Sequence, residues 1–365
     1  MLTLRRLPAA AWRHPDPLLR FYFDQLGDHW PAHRWIAGRA MAVGAGEGGW
    51  LGISAAERRL IEGRVEPEHY VSMQIRRGIH RLLNPAALPI RSNVLKDKAA
   101  FARFVSAHGL AAPLTVSGGS PERLLAAGDV VLKPSFSSKG RGVVRARREG
   151  AESRLTTGER LLPAELALRI ERVIADGGVA QEALSAHPSL APISPDALPT
   201  ARVMTVMSDG RTPAVGQIVV RLGGGGAPVD NFNHGGLVAV PTVAGGLDEA
   251  WTKARGRLVR LTRHPASRER IERALPPELL AGAAALACEA HSQLPAGFTV
   301  VGWDVGLSDR GACLIEGNWN PGTLLPQSAA GAGISQLPLG ALYREALERV
   351  ETTRWEAAGA MEIDW

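Results

Sequence analysis

Two hydrophobic periodicities divide this chain. In ARVMTVM and AVGQIVVRL, from Ala201 onward, and in VGWDVGLSDRGACLIEGN, from Val301 onward, short apolar runs are bounded by the turn residues SDGR and SDRG. Such runs predict antiparallel strands. Elsewhere the spacing is helical, as in Leu18, Leu19, Tyr22 and Leu26, and in Phe101, Phe104 and Val105. Start and stop signals agree with these helices. Ser54 with Glu57 has the spacing of a capping box, Asp97 can cap the helix bearing Phe101, and Gly109 is placed to end it. The stretch from Pro163 to Ala175 predicts a further helix, stopped at Asp176-Gly177-Gly178. From Glu249 to about Leu294 the pattern predicts two helices broken at Pro276-Pro277, and another helix is expected at about 339 to 350. In VVLKPSFSSKGRGVVRA, Val130 to Leu132 predict a strand that Lys133 ends, followed by a small-residue loop from Ser135 to Gly142. VAQEAL at 179 to 184 reads as a buried strand, and GGGGAPVDNFNHGGLVAVP as a long loop.

Composition narrows the class. At 365 residues with 45% hydrophobic content the chain can build two or three packed domains. No run reaches the roughly 20 apolar residues of a membrane span, and the start lacks the apolar region of a signal peptide. A cytoplasmic protein is the expectation. Cys288 and Cys313 form no close-spaced pair, which suggests neither a disulfide framework nor a zinc site. The net charge of +6 comes mostly from arginine, in clusters such as Arg76-Arg77, but it is mixed with acids and shows no nucleic-acid-binding signature. Anionic small substrates, or simply a composition rich in Arg, Ala and Gly, suit it better. Residues 1 to 95 include Trp12, Trp30, Trp35 and Trp50 and read as a mainly helical N-terminal domain without a recognisable catalytic motif.

The candidate chemistry centres on Asp304, Glu316 and Asn318. Glu316 and Asn318 lie two apart on one strand, and the SDRG turn can fold Asp304 back beside them. Hard oxygen ligands of this kind suit Mg²⁺, which completes its shell with water and nucleotide phosphates. Lys98, in the first turn of its helix, lacks a local reason unless an anion lies nearby. Lys133 and its Gly-rich loop can meet phosphates as a point charge and a set of backbone N–H groups. Asn231, Asn233 and Gly235-Gly236 lie on a loop that can approach a ligand closely. Each feature also has a plain reading, as exposed acids on a hairpin, a surface lysine, or glycines marking turns.

Taken in order over residues 95 to 335, these motifs resemble the ATP-grasp superfamily of carboxylate-amine ligases. The resemblance implies an α+β fold of two lobes clasping ATP. It implies that Lys98 and Lys133 hold phosphates, that Ser137, Ser138, Gly140 and Gly142 form the phosphate lid, and that Gln181, Glu182 and Leu184 contact adenine. Asp304 followed by Glu316-Gly317-Asn318 and Pro321-Gly322 resembles the family's metal site, implying Mg²⁺, two ions by analogy. Arg202, Arg221 and Asn231 resemble the catalytic positions of the ribosomal-protein glutamate-ligase branch. HPSLAPISPDALPTARVMT, DNFNHGG and IEGNWNPG are similar to the sugar-transfer-associated branch, whose name implies a setting in polysaccharide or natural-product biosynthesis. The implied division is an N-terminal domain (1–95), a small lobe (96–182), a large lobe (183–338) and a C-terminal helix and tail (339–365). The implied substrates are a small-molecule or peptide carboxylate and an amine joined through an acyl phosphate, with no nucleic acid and no membrane span, and with an oligomer allowed. A phosphotransferase on the same fold, or a nucleotide-binding protein without turnover, are the alternatives. One departure is Thr200, which stands where that branch carries an acidic ribose contact, leaving His187 as a stand-in.

Overall fold

A computed structural model of the chain describes residues 16–28, 53–135, 142–225, 230, 232 and 235–357. The four N-terminal tryptophans, Leu26's side chain, Ser137, Ser138, Gly140, Asn231 and Asn233 lie outside the described residues. The helices are α1 (Pro17–Asp28), α2 (Ala55–Ile61), α3 (Met73–Leu83), α4 (Lys98–Ala107), α5 (Glu122–Ala127), α6 (Pro163–Ala175), α7 (Pro277–Ser292), α8 (Leu324–Ala330), α9 (Pro338–Glu348) and α10 (Thr352–Ala357). Two antiparallel sheets complete the fold among these residues.

The small sheet runs in the order β1-β6-β2-β3-β4-β5. Its strands are β1 (Thr115–Val116), β2 (Val130–Lys133), β3 (Val144–Glu149), β4 (Glu152–Leu155), β5 (Arg160–Leu161) and β6 (Val179–Glu182). One face buries Val130, Leu132, Ala146 and Ala180 against Leu124 of α5 and Leu166 and Ile170 of α6. Pairing of β2 with β3 makes the expected hairpin, with Lys133 at the end of its first strand. Gly142 leaves the hairpin loop at φ 71°, and a Cβ there would approach Pro134 Cγ to 3.0 Å.

The large sheet runs β11-β10-β9-β8-β7-β12-β13. Its strands are β7 (Thr200–Val206), β8 (Ala214–Leu222), β9 (Leu237–Ala239), β10 (Ala250–Ala254), β11 (Arg257–Leu261), β12 (Val300–Ser308) and β13 (Gly311–Asn318). Alternation along the central strands separates two cores. Ala201 and Val203 of β7, with Val301, Trp303 and Val305 of β12, pack on α4 and the alanine-rich α7. Met204, Val206 and Val300 face the other way, onto α1, α3, α9 and Trp355. Helices α1 and α3 of the N-terminal segment therefore share a core with the C-terminal helices. Fully buried Asn84, at the end of α3, ties that layer to the sheet. Its Nδ2 donates to Val300 O at 2.7 Å and Trp319 O at 2.5 Å, and its Oδ1 accepts from Thr299 N and Val300 N. Arg64 adds a clamp by donating to Ser328 O and Ala329 O and lying 3.9 Å over the Trp251 ring.

Two segments depart from the pattern read along the chain. Residues 250–261 are a hairpin, β10–β11, rather than a helix, turned by Arg255 at φ 48° and Gly256 at φ 77°. Its Ala, Lys, Arg and Leu content favours helix, but pairing with β9 at the sheet edge outweighs that weak preference. Leu237–Ala239, inside the stretch read as loop, is buried as β9 between β8 and β10. The helices at α1, α2, α4, α6, α7 and α9 form where their caps and spacing place them, the Ser54–Glu57 capping box included.

Two histidines are sealed into these cores as neutral rings. His80 Nδ1 faces Asn320 Oδ1 at 3.1 Å and Nε2 faces the Tyr343 hydroxyl at 2.7 Å, while His291 lies between Thr205 Oγ1 and Phe298 O. Burial, then the Arg76 charge, lowers His80 to about 3, and burial lowers His291 to about 4. Both sit below the ordinary 6.5, so protons bind the unfolded chain in preference. The stability they contribute is complete above about pH 6.5 and is lost as the pH falls toward those depressed values. Urea unfolding between about pH 7 and about pH 5 checks this, the midpoint falling on acidification and falling less in His80→Gln, whatever that variant's absolute stability.

Candidate functional site

Between the two sheets lies a cavity of about 770 Å³. Lys98 at the first turn of α4, Lys133 at the end of β2, the β6 exit from Gln181 to Leu184, and Arg202, Arg221, Asp304, Glu316 and Asn318 of the large sheet all line it. Asp97 explains how Lys98 is held, because its Oδ1 accepts from Ala99 N at 2.8 Å and Ala100 N at 2.9 Å and fixes the helix start. Of the other expected residues, Ser137, Ser138, Gly140 and Asn231 fall outside the described set, and Gly142 packs on Pro134 without lining the cavity.

The acidic pair depends on a β-bulge. A plain two-residue hairpin from the SDRG turn sets Asp304 across from Ile315 and turns Glu316 to the opposite face. In the structure Val305 pairs with Leu314 and Asp304 with Glu316, so Ile315 is the extra residue and the faces are exchanged. Asp304 and Glu316 then share the cavity side, with Asn318 across from Gly302. Asn318 Nδ2 donates to Gly302 O and Glu316 Oε1, both at 3.3 Å, which leaves its oxygen as the atom it offers to the cavity.

Asp304 is held between two guanidiniums. Arg202 Nε bonds Asp304 Oδ1, and Arg221 Nη2 reaches Oδ2 at 2.9 Å. Arg221 Nε also donates to Thr200 Oγ1 at 2.9 Å and lies 3.3 Å from Asp230 Oδ2, while Thr200 donates to Asp230. Burial alone raises Asp304, but Arg202 and Arg221 outweigh it and hold the carboxylate well below its usual range. Burial likewise lowers Arg221, and Asp230, Asp304 and Glu316 together raise it above the ordinary value. Glu316 opens onto the cavity, where enclosure first and the Asp304 charge second raise its pKa. Lys98 and Lys133 are both lowered by burial, against the pull of Glu316.

These connections revise the expected roles. Arg202 and Arg221 carry their charge into Asp304 and Asp230, and Asp230, which sequence reasoning passed over, is the second acid of a buried network. Thr200 links that network. His187 bonds Ser189 and does not line the cavity. Glu182 accepts from Leu114 N at 2.6 Å and Arg310 Nη2 at 2.7 Å, so its side chain braces the small sheet against the β12–β13 turn. Gln181 donates to Thr115 Oγ1 at 2.8 Å.

The fit to Mg²⁺ follows from the donor set. No group of three His, Cys, Asp or Glu poised for a metal exists among the described residues. Two carboxylates and an amide oxygen are the sparse hard donors that Mg²⁺ accepts when phosphate and water complete its shell. Lys98, Lys133, Arg202 and Arg221 outnumber Asp230, Asp304 and Glu316, so the cleft favours the metal together with a polyanion over the bare ion. The residues fit on those terms.

Two antiparallel sheets closing on such a cleft define an ATP-grasp fold. The profile of the sugar-transfer associated ATP-grasp family matches residues 79–340, well over half of the chain, and the chain belongs to that family. A search of curated proteins returns no significant match. Among solved structures, it is similar to D-alanine–D-alanine ligase from Bacillus anthracis at 16% identity, with TM-score 0.40 over 72% of this chain and 69% of that one. L-amino acid ligase from Bacillus licheniformis is 16% identical, with TM-score 0.37 over 71% and 51%. The ADP complex of purK, N5-carboxyaminoimidazole ribonucleotide synthetase, is 13% identical, with TM-score 0.35 over 63% and 46%. The chain thus spans about half the length of the last two.

The two acids should respond oppositely to substitution. Asp304→Ala leaves buried Arg202 without its carboxylate and Arg221 with Asp230 alone, and costs about 3–5 kcal/mol. Glu316, with its raised pKa, destabilises the fold once ionised, so Glu316→Gln is neutral or stabilising above the usual 4.5 and its advantage grows as pH rises. Denaturant unfolding of both variants at neutral pH checks the contrast, and equal losses would contradict the pairing described here.

Proposed function

We propose that the chain is an Mg-ATP-dependent ligase that joins a carboxylate to an amine. The observation that carries this reading is the convergence of Lys98 and Lys133, from separate elements on either side of the cleft, on the cavity that holds Glu316 and Asp304. Two lysines lowered by burial yet attracted by one carboxylate suit a ligand that brings negative charge between them. We assign Lys98 and Lys133 to the phosphates, and Gln181, Glu182 and Leu184 to the wall beside the base, with Leu184 as its apolar surface. Glu316, Asp304 and Asn318 would hold Mg²⁺. When bound, the metal neutralises charge on the transferred phosphoryl group.

The carboxylate oxygen of one substrate attacks the γ-phosphorus, the bond to the β-phosphate oxygen breaks, and ADP leaves. An amine then attacks the acyl carbon of the acyl phosphate, inorganic phosphate departs and the amine proton passes to solvent. Arg202 and Arg221, held by Asp304 and Asp230, form a fixed, charge-balanced set of dipoles in this part of the cleft. Their neutralisation makes them positioning groups of the acidic centre before they are ligands of an oxyanion. The setting we assign is cytoplasmic, where ATP is made, and the family name points toward polysaccharide or natural-product assembly.

Three measurements test the assignment. Mg-ATP raises the melting temperature, by the equivalent of about 2.7 kcal/mol at a hundredfold excess over Kd, and the absence of any shift counts against nucleotide binding. With a competent carboxylate, added hydroxylamine is captured as a hydroxamate, whereas ADP release without hydroxamate points to a phosphotransferase. Glu316→Gln keeps its shape and its fold but loses turnover by orders of magnitude. Near-normal ADP release from that variant would sink the metal assignment.

A further inference from the structure

The cavity does not stop at the acidic centre. Beyond Asn318 it continues past Trp319 and Asn320 to a wall built by the N-terminal segment, where Leu60 of α2 and Met73, Arg76 and Arg77 of α3 line it, with Leu324 and Lys253 from the large lobe. Arg76 is only 8% exposed. Its Nη1 donates to the backbone oxygen of Asn320 at 2.6 Å, and no carboxylate pairs with it among the described residues. Glu57, the acid on the same wall, is already committed. Its Oε2 accepts from Ser54 N and Oγ, and its Oε1 accepts from Met73 N at 2.9 Å and the Tyr70 hydroxyl at 3.3 Å. Glu57 therefore joins α2 to α3, and its charge acts on Arg76 only from a distance, without an ion-pair contact. Burial and then the Arg77 charge lower Arg76 to about 10.

This end of the cleft contrasts with the other. Arg202 and Arg221 are compensated by Asp304 and Asp230 in direct contact, whereas among the described residues Arg76 and Lys253 share this end of the cavity with one acid, Glu57, that contacts neither. A guanidinium is the group best shaped to take a carboxylate or phosphate. Leu60, Met73 and Leu324 give the same part of the cavity an apolar lining.

We propose that the N-terminal segment is the specificity wall for a substrate that carries an anionic group of its own, a carboxylate or phosphate, anchored on Arg76 with Arg77 and Lys253 at the rim. Its role as substrate rests on the ligase reading; the binding of the anion does not. The body of that molecule lies on Leu60, Met73 and Leu324, and its reacting group points along Trp319 and Asn320 toward Asn318. The segment read from sequence as lacking any recognisable chemistry is thus the part that selects the substrate.

Calorimetric titration decides it, with glutarate as the carboxylate probe and glycerol 3-phosphate as the phosphate probe, on protein saturated with Mg²⁺ and a non-hydrolysable ATP analogue. One or both bind saturably, the preferred probe naming the anion. Affinity falls by about tenfold or more in Arg76→Gln and by less in Lys253→Gln, while affinity for the nucleotide analogue is unchanged. Neither anion binding the parent protein, or equal affinities in parent and variants, overturns the proposal. Should the nucleotide analogue fail to bind, the nucleotide reading has failed separately, and the same titrations on the free protein still decide the role of Arg76. If Arg76→Gln does not fold, the comparison passes to exposed Lys253, where Lys253→Glu must weaken the anion more than Lys253→Gln.

Discussion

Asp304 stands between Arg202 and Arg221, and the acidic face of the cleft depends on that triple contact. The three residues come from adjacent strands, β12, β7 and β8, at positions brought together by strict antiparallel register. Once the two guanidiniums are buried, each needs an anion, and Asp304 with Asp230 supplies it. The consequence reaches the neighbouring strand. Asp304 stays ionised under the two positive charges, and its own negative charge then falls on Glu316, the one carboxylate nearby without a bound arginine. Glu316 is thereby left facing Lys133 and Lys98 across the cavity without a guanidinium bonded to it.

Much of the framework was legible because local signals and burial agreed. Asp97 caps where a cap was expected, Phe101, Phe104 and Val105 share a face, and β7 and β8 pair across SDGR. The metal candidates were found as residue types, but the reason they meet was not visible. Placing Glu316 beside Asp304 requires the bulge at Ile315, and nothing in ACLIEGN marks one apolar residue as extra. The β10–β11 hairpin was misread because its residues favour helix in isolation, and only the edge of a sheet elsewhere in the chain makes it a strand pair. Asp230 was overlooked because its role lies in contacts with Arg221 on β8 and Thr200 on β7, which only the folded sheet brings beside it.

Arg76-Arg77 shows the same limit from the other side. In sequence the pair is one of several basic clusters, and basic clusters are usually solvated faces. Folding makes it different. Asn84 and Arg64 lock the N-terminal layer onto β12, β10 and α8, so α3 is carried to the far end of the cavity and Arg76 is buried against Asn320. The same layer contributes α1 and α3 to the core with α9 and Trp355, which makes the wall as rigid as the sheet behind it.

Position along the cleft then orders its electrostatics. At the lysine end, Lys98 and Lys133 reach in from a helix start and a strand end, both facing Glu316. In the middle, arginines and carboxylates cancel, giving a region that is rigid and nearly neutral until charge develops in it. At the far end Arg76 restores positive potential on an apolar wall. A molecule bound across this gradient is held by its charged ends while its reacting atoms sit where the protein's own charges are balanced, and charge that develops there is met by fixed dipoles that need not reorganise. That arrangement favours a reaction in which negative charge is passed from one bound group to another along the cleft, with both ends already anchored before the transfer begins.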